Sequence, residues 1–325
     1  MQLSPSSSAS LLRIDPEREA DRVSNRIREV VFTQFRRKGA VLGVSGGIDS
    51  SVVAALCVRA LGKDRVAALF MPESESSSES LTLGRMLTEN LGIRAILENI
   101  TPILEGAGCY RRRNDAIRSV VPEYSDECKC KITLPNLLEE DRYALFSVVV
   151  QAPTGETKTT RLPLNAYLGI VAASNFKQRT RKMMEYYHAD SLNYAVAGTP
   201  NKLEYDLGFF VKGGDGAADF KPIAHLYKSQ VYQMADFLGI PEEIQRNTPT
   251  TDTYSLIQSQ EEFYFSMPLE QMDVCLYGRD HNMDPREVAS ILDLAESQVK
   301  RAFAMIDSKR RNARYLHQPP VMMSE

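Results

Sequence analysis

Residues 41–58 read VLGVSGGIDSSVVAALCV, and the order of residue types in that stretch decides the fold. Apolar and small residues run into Ser45, Gly46 and Gly47, after which Asp49 and two serines open a second apolar run. This predicts a strand over 40–44, a glycine turn, and a helix over 49–61 that stops at Gly62. A turn of that kind suits an anion. The first N–H groups of the helix have no intrahelical partner, and the helix dipole favours negative charge there. Glycine lets the backbone come close to a ligand because no Cβ intervenes. The stretch is not a Walker A loop, since no lysine follows Gly47 at the required spacing, and Gly43, Gly46 and Gly47 do not make G-x-G-x-x-G. A turn that used glycine for geometry alone would need neither hydroxyls nor a carboxylate. Ser45, Asp49 and Ser50 supply both, which suits a phosphate and its Mg²⁺.

Outward from this stretch, strands and helices alternate. Asp15-Pro16 caps an amphipathic helix over 15–36, with Ala20, Val23, Ile27, Val30 and Val31 on its apolar face. Val66–Met71 is expected as a second strand. A Ser-rich loop (ESESSSES) then leads to a helix ending at Leu91-Gly92, and Ile93–Ile100 is a third strand. The rhythm predicts an α/β protein, doubly wound, with a mainly parallel sheet flanked by helices. It breaks over 122–164, where KITLP, ALFSVVVQAP, the turn Pro153-Thr154-Gly155 and TKTTRLPL predict an inserted β-hairpin flap. Helix is expected again over 166–187, strand over 193–197, and helix over 228–238 before Gly239. The expected organisation is a disordered tail over 1–11 and one domain over 12–325. That domain holds the 122–164 β-rich insertion and a mostly helical 254–325 segment with helices at 285–292 and 296–311.

Composition narrows the class. With 43% hydrophobic and 25% charged residues, the 325-residue chain reads as a globular protein with a sizeable core. A formal net charge of −3 and a pI near 5.9 give no global attraction to nucleic acid or to an anionic membrane. No apolar run approaches the ~20 residues that span a bilayer. The N-terminus MQLSPSSSAS lacks the basic start and apolar core of a signal peptide. A cytoplasmic enzyme with its five cysteines as thiols is the expectation. Cys128 and Cys130 are the one close pair, and without a second pair they do not make a zinc site. The tail DPREVASILDLAESQVKRAFAMIDSKRR is also similar to a helix-turn-helix DNA reader. The acidic whole and the commonness of helix pairs as packing units weigh against that alternative.

Ser45–Ser50 (SGGIDS) resembles the SGGxDS loop of the ATP pyrophosphatase, or PP-loop, superfamily. The resemblance implies a Rossmann-like fold and an enzyme that adenylates a substrate with ATP and releases PPi. It places ATP against Gly43, Val44, Ser45, Gly46, Gly47, Ile48, Asp49 and Ser50. Further segments resemble one branch, the ammonia-dependent NAD synthetases: NFKQRTR (175–181, expected at a helix start), GTPNKLE (198–204), GFFVKGGDGAAD (208–219), PIAHLYKSQ (222–230) and PTTD (249–252). By that resemblance Thr199, Lys228 and Thr250 contact ATP, and Asp49 and Glu204 share Mg²⁺. Arg179, Lys212 and Asp219 bind deamido-NAD, while Lys212 and Lys228 act electrostatically without any covalent nucleophile. The implied partners are deamido-NAD and ammonia, a homodimer that builds the deamido-NAD site across its interface, and in one version a separate glutaminase.

Loops 73–80 and 200–220 are candidate lids. GTPNKLE departs from the commoner GTDHAAE, Gln178 stands where Ala is usual, and the insertion has no counterpart in the compact bacterial enzymes. Lys309, Arg310 and His317 are the candidates for a C-terminal substrate contact. Another PP-loop amidotransferase or a tRNA-thiolating enzyme is the alternative, although the catalytic cysteine pairs of the latter are missing.

Overall fold

Asp15 starts the first helix, α1 (Pro16–Arg28), by accepting the Arg18 N–H, and Pro16 occupies a first-turn position that needs no donor. The helix expected to continue to 36 widens instead into a π-helix over Glu29–Gln34, with Phe35 N–H reaching back to Val30 O. Then follow β1 (Ala40–Gly43), α2 (Ile48–Leu61), β2 (Val66–Phe70), α3 (Ser78–Leu91) and β3 (Arg94–Leu97). Two helices that the sequence did not announce, α4 (Thr101–Gly106) and α5 (Cys109–Arg118), lead to the insertion. The computed structural model describes residues 10–134, 146–247, 254–256, 258–260 and 264–323. The expected tail therefore lies outside the described residues except for Ser10 and Leu11, and Leu11 packs on the C-terminal core.

The insertion is a three-stranded antiparallel sheet rather than a two-stranded hairpin: β4 (Lys129–Thr133), β5 (Ser147–Gln151) and β6 (Thr157–Arg161). KCKIT pairs with SVVVQ in full register, from Lys129 opposite Gln151 to Thr133 opposite Ser147. Cys130, Ile132, Val148 and Val150 point inward onto Ala166 and Ile170 of the long helix α6 (Leu164–Leu192). Because α6 begins at Leu164, residues 175–181 lie in mid-helix and not at a helix start.

After α6 come β7 (Ala195–Val196), α7 (Lys202–Leu207), α8 (Lys228–Phe237) and α9 (Glu242–Arg246). The main sheet is parallel in the order β3-β2-β1-β7. Alternate residues face opposite cores. Ala40, Leu42, Ala68 and Phe70 meet α1, α2 and α8, whereas Val41, Ala67 and Leu69 meet Leu104 of α4 and Ala189 of α6. Burial on both faces explains why these strands read as unbroken apolar runs. Strand order reverses at β1, between β2 on one side and β7 on the other. A crevice at the carboxyl ends of such strands is where open α/β sheets bind ligands.

The C-terminal helices α10 (Leu269–Asp280), α11 (Pro285–Leu292) and α12 (Glu296–His317) close a separate core around Phe265, Met272, Val288, Val299 and Ile306, which also takes Leu203 and Leu207 of α7. The helix pair that resembles a DNA reader spends its inner face here. Arg310 is tied to Asp206 at 3.1 Å and to Asp280 at 2.5 Å, and Arg279 to Asp307 at 2.9 Å. These contacts describe a packing unit. All five cysteines are unpaired thiols, and burial pushes Cys57 and Cys275 up to about 12.

Candidate active site

The turn after β1 takes its shape from one glycine and three hydroxyls. Gly46 has φ +78°, and a Cβ there would stand 2.5 Å from Ser80 O at the start of α3. Only glycine lets the turn seat on that helix. Ser50 and Ser51 donate to Gly47 O at 3.0 and 2.9 Å, and Ser45 Oγ lies 3.3 Å from Ser50 Oγ. Gly47, at the N-cap of α2, has no side chain to cap the helix, so the first-turn N–H groups face outward.

The turn forms one side of a cavity of about 560 Å³. Gly43, Val44, Ser45, Gly47, Ile48, Asp49 and Ser50 line it, with Thr199, Glu204, Lys212 and Lys228 across from them. Gly46 is absent from the lining and shapes the turn from behind. Of the remaining expected contacts, Arg179 and Asp219 are exposed and lie outside the lining. Arg179 Nε donates to Lys212 O at 3.3 Å. Asp219 Oδ2 accepts the Val196 N–H at 2.8 Å. Thr250 lies outside the described residues.

At the base of the cavity, buried Lys228 donates to Asp49 Oδ2. Burial works against the ammonium, but the charges of Asp49 and Glu204 outweigh it and raise Lys228 above the ordinary lysine range. Glu204 has the opposite problem. Burial, with the charge of Asp49 added, pushes its carboxyl up to about 8 while Lys228 pulls it down. Lys228 is the first residue of α8, and Asp273 of α10 fixes that end by accepting the N–H groups of Lys228 and Ser229 at 3.1 and 2.7 Å. Asn201 and Gln260 complete the cluster. Asn201 Nδ2 donates to Asp49 Oδ1 at 3.0 Å, and Gln260 Nε2 donates to Glu204 Oε1 at 2.9 Å.

A second buried cluster had no signal beyond the lysine of NFKQRTR. Lys177, wholly buried in α6, reaches Glu73 at 2.9 Å and Glu75 at 2.7 Å. Arg113 of α5 meets Glu75 at 2.5 Å. These pairs moor the first half of the Ser-rich segment whose Ser76, Ser77 and Ser80 line the cavity. The far wall includes Phe146, from the edge of the insertion, stacked on Tyr167 at 4.1 Å.

The C-terminal candidates divide. Lys309 turns onto the Tyr264 ring, 3.3 Å from its centroid, and Arg310 is consumed by Asp206 and Asp280. His317 packs edge-on against Tyr205 and Phe210. Lys212 itself donates to Tyr315 O at 2.9 Å and Gln318 O at 3.1 Å, so the C-terminal segment reaches the site through its backbone.

A four-stranded parallel sheet with an SGGIDS turn at its switch point, facing a lysine–carboxylate cluster, defines an α/β nucleotide-binding enzyme of the PP-loop kind. The sequence profile of NAD synthase matches residues 19–118 and 151–315, and the 119–150 it leaves out take in the first part of the insertion. An NH(3)-dependent NAD(+) synthetase of Mesorhizobium japonicum is 55% identical over 315 residues, covering 97% of this chain and 99% of that one. Among solved structures, an NH3-dependent NAD synthetase from Campylobacter jejuni superposes with a TM-score of 0.62 at 23% identity, covering 96% of this chain and all of that one. An NMN synthetase from Francisella tularensis also reaches 0.62 at 22% identity, over 95% and 99% of the two chains. The chain belongs to the NAD synthase family.

Two consequences are measurable. Gly46→Ala should lower stability by about 1–3 kcal/mol, the cost of a side chain in strained backbone, and weaken nucleotide binding as the turn leaves α3. Urea unfolding and ATP titration would check this, and a variant unchanged in both would contradict the account of the turn. The second concerns Lys309, which burial pushes from 10.5 down to about 7 against the attraction of the Tyr264 ring. Between those values the unfolded chain holds a proton that the folded one lacks, so stability climbs as pH rises through that window. Lys309→Met should therefore raise the Tm most at about pH 6, with the gain shrinking by about pH 10. Equal gains at both would show that the amine is not desolvated.

Proposed function

We propose that the protein amidates deamido-NAD to NAD with ATP and ammonia, releasing AMP and PPi. The observation that carries this reading is the single cavity that joins the SGGIDS turn to the Asp49–Lys228–Glu204 cluster, in a chain of this family. The nicotinate carboxylate attacks the α-phosphate of ATP, PPi leaves, and ammonia then attacks the acyl-adenylate and expels AMP. The turn N–H groups receive the pyrophosphate, Thr199 and Thr250 contact the nucleotide, and Lys228 offsets charge that builds on the phosphates. Catalysis is positioning and electrostatics, with Lys212 reaching the second substrate. Water has to be kept from the acyl-adenylate, a task for the walls formed by segments 73–80 and 200–220.

The donor set fits Mg²⁺. Asp49, Glu185, Glu204 and Asp215 line the cavity, Glu185 is paired with Lys182, and Asp49 and Glu204 stand together around Lys228. Among the described residues no group of three or more His, Cys, Asp or Glu forms a dedicated metal cage. Mg²⁺ commonly takes one or two carboxylates and completes its shell with phosphate oxygens and water. Gln260 Oε1, on the amide that contacts Glu204, is buried with no hydrogen-bond partner among the described residues. Asp49 and Glu204 would hold the ion, which supplies Lewis-acid neutralisation of phosphate charge.

Arg179 and Asp219, proposed to bind deamido-NAD, face solvent, which supports a site completed by a second copy. Leu164, Leu168, Met183 and Tyr187 are exposed along α6, the helix that carries Arg179, from 52% to 71%, at spacings of one or more helical turns. Residues 12–325 act as one domain, and a cytoplasmic setting suits the free thiols. Among the described residues no helix is long and apolar enough to cross a membrane.

Incubation with ATP, Mg²⁺, deamido-NAD and ammonium should yield NAD and AMP together, with glutamine inactive in place of ammonium. AMP formed only with another acid, such as nicotinate mononucleotide, would sink the substrate assignment and leave adenylation standing. Sedimentation should give twice the chain mass, and Tyr187→Glu should shift it toward the monomer while weakening deamido-NAD binding. A wild-type monomer with full activity would refute the shared site.

A further inference from the structure

We propose that Asn201 is the positioning residue that sets the spacing and orientation of the Asp49 and Glu204 carboxylates for the divalent cation. The inference rests on the reading that those two residues hold Mg²⁺ with ATP. Asn201 is buried, 1% exposed, in the segment between β7 and α7, on the opposite side of the switch point from Asp49. Its carbonyl accepts the Tyr205 N–H inside α7, and three further hydrogen bonds all end on the two acidic residues. Its N–H donates to Glu204 Oε2 at 3.1 Å, its Oδ1 accepts the Glu204 N–H at 3.1 Å, and its Nδ2 donates to Asp49 Oδ1 at 3.0 Å.

The chemistry requires a neutral side chain whose donor and acceptor sit on separate atoms, one aimed at each acidic residue, and asparagine is the smallest of that kind. The acceptor half caps α7 and fixes the backbone from which Glu204 extends. The donor half turns the Asp49 carboxylate so that Oδ2 meets Lys228 and Oδ1 is held from the other side. Two carboxylates that meet the same asparagine repel each other. A fixed separation before the ion arrives means that binding does not have to order them. Groups that orient metal-holding side chains typically matter 10–100-fold for affinity.

A residue that merely capped α7 would need the acceptor alone, and the test separates the two halves. Asn201→Ser keeps a capping oxygen and removes the amide nitrogen that reaches Asp49, since its single hydroxyl sits at the capping position; Asn201→Thr is a second cap-retaining variant should the serine protein fold poorly. Mn²⁺ binding is read from the free-ion EPR signal in the presence of a non-hydrolysable ATP analogue, and Asp49→Asn is measured beside it. We expect the Tm of Asn201→Ser to stay near that of the parent while its Mn²⁺ Kd rises on the order of 10-fold. The half-saturating Mg²⁺ concentration should rise in parallel, with kcat at saturating Mg²⁺ changed far less. Mn²⁺ affinity within about twofold of the parent in both Asn201 variants, with Asp49→Asn impaired, would overturn the role of Asn201 alone. Undiminished Mn²⁺ affinity in Asp49→Asn would overturn the metal reading itself, and the inference with it.

Discussion

Lys228 carries a full charge almost without contact with water, and the site is arranged around answering that charge. An ammonium left alone in such surroundings gives up its proton. Here Asp49 and Glu204 hold it charged, and it in turn lets two carboxylates stand together. Such clusters seldom serve stability. An apolar replacement is often neutral or better, whereas removing one partner from a buried pair costs about 3–5 kcal/mol. The arrangement makes physical sense as a preset balance of charge that an incoming polyphosphate and its cation redistribute.

The balance exists where it does because of the strand order. β1 lies between β2 and β7, so the chain leaves the sheet in different directions at neighbouring carboxyl ends. The segment after β1 brings the anion turn and Asp49. That after β7 brings Thr199, Asn201 and Glu204, and the next connection brings Lys228 at the head of α8. Asp273, far along the chain in α10, holds that head in place, which ties the C-terminal helices to the site. Three separate pieces of sequence thus meet without any of them being long.

The parallel sheet was legible because burial on both faces leaves β1 and β2 continuously apolar, and the anion turn because glycine, hydroxyl and carboxylate rarely coincide without reason. α4 and α5 were not legible. Their sequences, TPILEG and CYRRRNDAIR, put charged residues beside apolar ones, and Arg113 and Asn114 are buried by partners that only the fold supplies. The first strand of the insertion was legible only in part: KITLP covers Lys131–Thr133 of β4, whereas its start at Lys129 and Cys130 and its place as a third strand were not. The helix expected over 166–187 begins two residues earlier, at Leu164 with Pro163 as its N-cap, and runs on to Leu192. Asn201 and Gln260 were hidden because an amide's role lies in its partners, and spacing says nothing about those.

The insertion joins this site by two routes. Phe146, at the edge of β5, reaches the cavity directly. The other route is polar. Asp126, just ahead of β4, accepts from Asn114 at 2.9 Å and from Arg118 at 2.8 Å. Asn114 in turn accepts from Arg113, Arg113 grips Glu75, and Glu75 shares Lys177 with Glu73 beneath the cavity wall. Each link in the chain is a charged or charge-assisted hydrogen bond, and its inner members are buried where the low dielectric strengthens it. A sheet whose first strand and most of whose second lie outside the family profile is therefore bonded into the same wall as the serines of the 73–80 segment, and a change in its seating has a contiguous path to the nucleotide end of the cavity.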